Sequence, residues 1–215
     1  MLLKSIPLAL LLVFSAEAQS PLPELRTEPT DGGSIFRIHN TGSQPLTAFL
    51  IELVNYPGSS YSLWQDEIAS QPIPPGGDMQ IRVANMTVGA VPDYVKLQAA
   101  IYADGSSSGI PEKVTQFIGR RRSTLEATRE LIRRLEKAKS ADTQKSALIA
   151  DLQQWSDSIP PPTRANRNSQ AAINQAAAKG LIIDTVARLN AHTPDEVLSG
   201  LRASERALAA SKPAL

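Results

Sequence analysis

The chain has 215 residues, no cysteine, two histidines and a net charge of +1 at neutral pH. The missing thiols exclude disulfides, thiol catalysis and cysteine-ligated metals, and two histidines leave no pair at zinc-ligand spacing. A chain of this length can bury a core without covalent staples, in one or two domains.

Residues 1–18 read as a signal peptide. Lys4 supplies a short basic start, Ile6 to Phe14 is an apolar run interrupted by Pro7, and Ala16-Glu17-Ala18 has the small-x-small pattern of a signal-peptidase site. The run is far shorter than the roughly 20 residues that span a bilayer. The expectation is an exported protein, periplasmic or secreted, with no transmembrane span after cleavage. Export without cysteine points to a bacterial envelope rather than to a disulfide-stapled extracellular domain.

Residues 19–106 read as strands. "SIFRIHN" and "PLTAFLIELV" flank the turn cluster "NTGSQP", and "PIPPGG" precedes "DMQIRVA". In that strand Met79, Ile81 and Val83 alternate with Asp78, Gln80 and Arg82. In "YVKLQAAIYADG", Val95, Leu97, Ala99 and Ile101 are expected on one side, with Lys96 and Gln98 on the other. Period-two alternation puts one face against a core and one in water, as in an antiparallel sheet, and short strands between Gly/Pro turns predict a β-sandwich.

"FRIHNTGSQPLTAFLIEL", "IPPGGDMQIRV" and the long strand after them resemble the Ig-like domains of exported bacterial proteins, over residues 34–104. An N-x-G turn joining two early strands and a Pro-Gly turn before a middle strand carry the resemblance. The strand, Asp-Gly-Ser and helix that follow are similar to exported bacterial proteins of unknown function. The resemblance implies a fold and no activity.

Residues 107–215 read as a helical domain of about four helices, with a Pro-rich loop at 156–168. From Pro111, Val114, Ile118, Leu125, Ile132 and Leu135 recur at three- and four-residue steps. Asp142 is placed as the N-cap of a second helix carrying Leu148, Leu152 and Trp155. Ile182, Val186 and Leu189 mark a third. Thr193-Pro194 with Glu196 predicts a capping box for a fourth. Charge divides along the same line. Between Gln19 and Gly105 four basic residues stand against nine acidic, and from Ser106 onward 17 basic stand against 11 acidic. The fold class is therefore α+β: an N-terminal antiparallel Ig-like β-sandwich, then helices.

At the junction, "DGSSSG" (104–109) fits two chemical patterns. Gly105 to Gly109 matches G-x-S-x-G, the nucleophile elbow of serine hydrolases, with Ser107 as nucleophile and His192 downstream as base. However, an elbow follows a buried parallel strand, whereas this one follows an alternating strand. Asp104, Ser106 and Ser108 match the first half of a calcium loop, but Thr115 stands where the bidentate acid belongs. The third reading is a hinge between the halves, with Asp104 or Ser108 capping the helix that follows. His39 is expected to face solvent, and Trp64 to plug the sandwich core.

Tyr56 and Tyr61, in a turn-rich aromatic stretch, are candidate ligand or partner contacts. Arg121 is a third, because it interrupts the apolar stripe between Ile118 and Leu125 and an acid of the β half is its natural partner. The arginines of "GRRRS" and beyond lie three or four residues from glutamates, which reads as an ion-paired face rather than a nucleic-acid surface. The reading favours a non-catalytic binding or structural accessory protein of the bacterial envelope. No cofactor is expected, and the partner would be another envelope protein or a polysaccharide. The alternative is a serine hydrolase using Ser107.

Overall fold

The computed structural model describes residues 21–55, 61–84 and 94–215, so the signal-peptide reading and Tyr56 lie outside the described residues. Among these, seven strands precede four helices. β1 (Glu24–Thr30), β2 (Gly33–His39) and β5 (Asp78–Ala84) form one antiparallel sheet in the order β1-β2-β5. β3 (Leu46–Leu53), β4 (Ser62–Asp66), β6 (Val95–Tyr102) and β7 (Ser107–Gly109) form a second, in the order β4-β3-β6-β7. Phe36, Ile38 and Val83 from the first sheet and Phe49, Ile51, Val95 and Tyr102 from the second share one core. The predicted "NTGSQP" turn is pinned by buried Asn40, whose Nδ2 donates to the Gln44 and Ile73 carbonyls while its Oδ1 accepts from Gly42 N–H.

The alternation in β5 holds as predicted, since Met79, Ile81 and Val83 pack toward the core. In β6 it fails. Leu50 pairs with Ala99 but Ile51 pairs with Leu97, leaving Gln98 as an extra residue on β6. That bulge reverses the side-chain parity. Val95 and Leu97 face the inter-sheet core, and beyond Gln98 so do Ala100 and Tyr102. Ala99 and Ile101, expected on the same side as Val95, face the opposite way. A second shift makes Thr47 the extra residue of β3: Leu46 pairs with Tyr102 and Ala48 with Ile101.

The face so created is covered by a helix. α1 (Pro111–Ser140) begins with proline, as its fixed φ favours. Val114, Phe117 and Ile118 in its first two turns pack on Ala48, Leu50, Ala99 and Ile101. Its later turns leave the sheet. Leu131, Ile132 and Leu135 join a separate core with α2 (Lys145–Ser158), α3 (Gln170–Ala191) and α4 (Pro194–Ala209). At 30 residues α1 is about 45 Å long and belongs to both cores.

The caps are part as expected and part not. Thr193 and Glu196 form the predicted capping box. Asp142 does not cap α2: it sits at φ +48° and Gln144 takes the N-cap position. No helix among the described residues is long and apolar enough to cross a membrane.

Candidate functional site

Asp104 to Gly109 forms a tight hairpin. Gly105 N–H donates to the Tyr102 carbonyl, and Tyr102 N–H to the Ser106 carbonyl. Gly105 has φ +94°, which glycine adopts without strain. The Asp104 carboxylate accepts from the Ser106 N–H and hydroxyl, 2.9 and 2.7 Å away. These bonds hold its pKa below the usual range, the Ser106 hydroxyl contributing most. Ser107 is in β7 opposite Ile101, and Ser108 is buried opposite Ala100. The junction predicted at 106/107 thus falls inside a hairpin that supplies the outer strand of the second sheet. Neither Asp104 nor Ser108 caps α1, whose N-cap is Ile110 with no side-chain bond.

Neither chemical pattern is assembled. Ser107 follows an antiparallel turn, not a parallel strand, and makes no hydrogen bond to His192. His192 ends α3, with its N–H donating to the Arg188 carbonyl and its own carbonyl accepting from Lys145. Of the calcium-loop oxygens, Asp104 and Ser106 already bond each other, and Ser108 lies in the strand. Among the described residues no group of three or more His, Asp or Glu is placed to hold a metal ion. His39 stays half exposed, with Nδ1 3.0 Å from Asp78 Oδ1.

Arg121 is not a surface contact. Its side chain is 0 % exposed, and four of its five N–H donors are engaged. Nε and Nη2 grip the Asp66 carboxylate at 2.7 and 2.9 Å. Nη2 also donates to Thr47 Oγ1 at 3.0 Å, and Nη1 to the Lys212 carbonyl at 3.3 Å. Thr47 is the bulged residue of β3, and its hydroxyl in turn donates to the Ile101 carbonyl. One guanidinium therefore fastens α1, the ends of β3 and β4, and the C-terminal segment. The acid of the β half expected for it is Asp66. Arg120 beside it is half-buried; burial pushes its guanidinium pKa down, Asp66 opposes this, and the Arg121 charge adds to it.

Tyr61 contributes to the inter-sheet core, edge-on to Phe36 with centroids 6.3 Å apart, and burial pushes its phenol pKa up. Trp64 does not plug that core. It lies on the helix-facing side, 5.1 Å from Phe117. These two aromatics border a cavity of about 170 Å³ between β4, the start of α1 and the loop before α3. Sequence reading overlooked its polar wall. Lys113 Nζ is 2.9 Å from the Glu52 carboxylate, which also accepts from Ser62 Oγ. Gln116, Arg167 and Asn168 complete the rim. Glu52, Lys113 and Arg167 are far apart in sequence and follow no motif, so only the fold brings them together.

The arginine-rich face of α1 carries ion pairs, at the predicted three- and four-residue spacing for Glu130 and otherwise across to α2 and α4. Glu130 receives both Arg133 and Arg134, Arg134 also reaches Asp151 and covers the Trp155 ring at 4.6 Å, Arg129 pairs with Glu205, and Arg202 of α4 with Glu136. No family model, curated protein or solved structure matches the chain.

Proposed function

We propose that this chain is an exported, non-catalytic accessory protein of the bacterial cell envelope, binding or bracing another envelope component through a rigid Ig-like scaffold. The strand order supports the scaffold. β1-β2-β5 and β4-β3-β6-β7 is the order an immunoglobulin-type pair of sheets would take with its fourth strand on the third instead of the fifth. Helix α1 and the Arg121 clamp brace the second sheet from behind, which suits presentation of a fixed surface better than a moving site.

The observation that carries the non-catalytic reading is the placement of the G-x-S-x-G serine. A nucleophile elbow projects its serine from a strained strand-to-helix turn toward a histidine. Ser107 instead occupies a regular position in β7 opposite Ile101. A fluorophosphonate probe tests this. No labelling of Ser107 is expected. Labelling lost in Ser107→Ala would overturn the reading in favour of a serine hydrolase. Chemical crosslinking in the native envelope, followed by pull-down, should recover a protein or polysaccharide partner.

A further inference from the structure

The cavity beside Trp64 has the composition of a small saccharide subsite. We propose that it binds one pyranose unit bearing a carboxylate, such as a uronic acid residue of an acidic polysaccharide. The inference deepens the binding-module reading and rests on it.

Three features set the ligand class. First, Trp64 on the helix-facing side supplies apolar ring surface, which an edge or face of a sugar ring can cover. Second, the wall mixes acceptors and donors at short range: the Glu52 carboxylate, the Lys113 ammonium and the Asn168 amide. A polyhydroxylated ring needs both kinds. The side-chain oxygen of Gln116, also in this wall, is a buried acceptor with no donor. That oxygen is closed to solvent, so the ligand contacts are left to the accessible groups of the wall. Third, charge is unbalanced. Glu52 neutralises Lys113, but Arg167 is exposed at the rim and has no ion pair among the described residues. One anionic substituent on the ligand would match it, with the planar fork that guanidinium offers a carboxylate. The volume of about 170 Å³ fits a single ring and not a long segment, so a chain would enter by its end or lay one residue in the pocket.

The test is titration of the purified protein with an oligoglucuronate and with a neutral gluco-oligosaccharide of equal length, by calorimetry and tryptophan fluorescence. Saturable binding of the acidic oligomer is expected, about tenfold or more tighter than the neutral one, and Arg167→Ala should abolish that preference, as loss of one charge-assisted contact predicts. The fluorescence change should survive Trp155→Phe, because Trp64 reports it. Asn168→Ala separates binding from folding: the residue is exposed, so the melting temperature should hold while binding weakens. Equal binding of both oligomers, or acidic binding untouched by Arg167→Ala and Asn168→Ala, overturns the proposal. So does absence of binding. If the crosslinking experiment still recovers an envelope partner, that failure belongs to the pocket alone and not to the accessory role.

Discussion

Replacing Arg121 by methionine should be among the most damaging single changes in this protein. Methionine keeps much of the stem and deletes the charge. The Asp66 carboxylate, 12 % exposed, would then lose both guanidinium bonds and keep the weak 3.3 Å contact from Ile68 N–H. Breaking a buried pair from one side costs about 3–5 kcal/mol, because the remaining charge is desolvated without compensation. That is a large share of the roughly 5–15 kcal/mol by which domains are stable. At about 2–4 °C per kcal/mol for a chain of this size, the melting temperature should fall by about 6–20 °C. Asp66→Leu should cost a similar amount. The double change should recover most of the loss, since an apolar replacement of both partners leaves no unpaired charge. Urea unfolding of all four proteins, read at Trp64 in a Trp155→Phe background and at Trp155 in a Trp64→Phe background, gives the cycle. Coincident transitions at both tryptophans are expected, because α1 belongs to both cores. A cost below about 1 kcal/mol for Arg121→Met, or two single costs that simply add, would refute the clamp.

Two further outcomes follow from local geometry. The Arg133 hydrogen bond, with Arg134 adding and burial opposing, holds Glu130 down at about 2 from its ordinary 4.5. A depressed carboxylate stabilises the fold above the unfolded value, and that contribution is lost as pH falls from about 4.5 through about 2. Wild type and Glu130→Gln should therefore differ in unfolding free energy at pH 6, by under about 1 kcal/mol for so accessible a group, and the gap should close as pH falls through about 2; a gap of undiminished size at pH 2 contradicts the assignment. Gly109 has φ +99°, and a Cβ there would sit 2.3 Å from the Gln98 carbonyl oxygen. Gly109→Ala should cost more than the roughly 1–2 kcal/mol of left-handed strain alone. Gly32→Ala, at φ +77° with open space around it, should show that strain by itself, and equal costs at the two sites would dismiss the clash.

How much of this was legible depended on whether one face or two is buried. In β5, with one wet face, alternation alone assigns every side chain. The sheet of β3 and β6 is covered on both faces, so Ala48, Leu50, Ala99 and Ile101 are as apolar as the residues opposite them, and the pattern cannot say which face is which. The bulges at Thr47 and Gln98 then shift parity without any Gly or Pro to mark them. β1 and β4 escaped because none of their residues is fully buried, and "SLWQD" has no apolar alternation. Helix periodicity carried further: α1 keeps its stripe over 30 residues, and the one charge on it, Arg121, stood out for that reason. Its partner was illegible, since Asp66 is 55 residues away at the end of β4 and only the pairing of β4 with β3 brings it to α1.

The extra residue at Gln98 connects these features. By reversing parity it turns Ala99 and Ile101 outward, and those two with Ala48 and Leu50 make the floor on which Phe117 lands. The Gln98 carbonyl also accepts the Ile110 N–H at 2.8 Å, so the bulge holds the residue from which α1 departs. On the other side of the bulge the same sheet face is polar. Lys96 pairs in register with Glu52, and Glu52 reaches Lys113 on α1. One irregular residue thus divides the helix-facing surface into a dry end, where sheet and helix pack together, and a wet end, where Glu52 meets Lys113 beside the cavity. A continuous alternating β6 would have put Lys96, Gln98 and Ala100 on that face together, leaving α1 a polar floor and no boundary between packing and pocket. The irregularity missing from the sequence pattern is therefore the one that places both the clamp's helix and the candidate binding site.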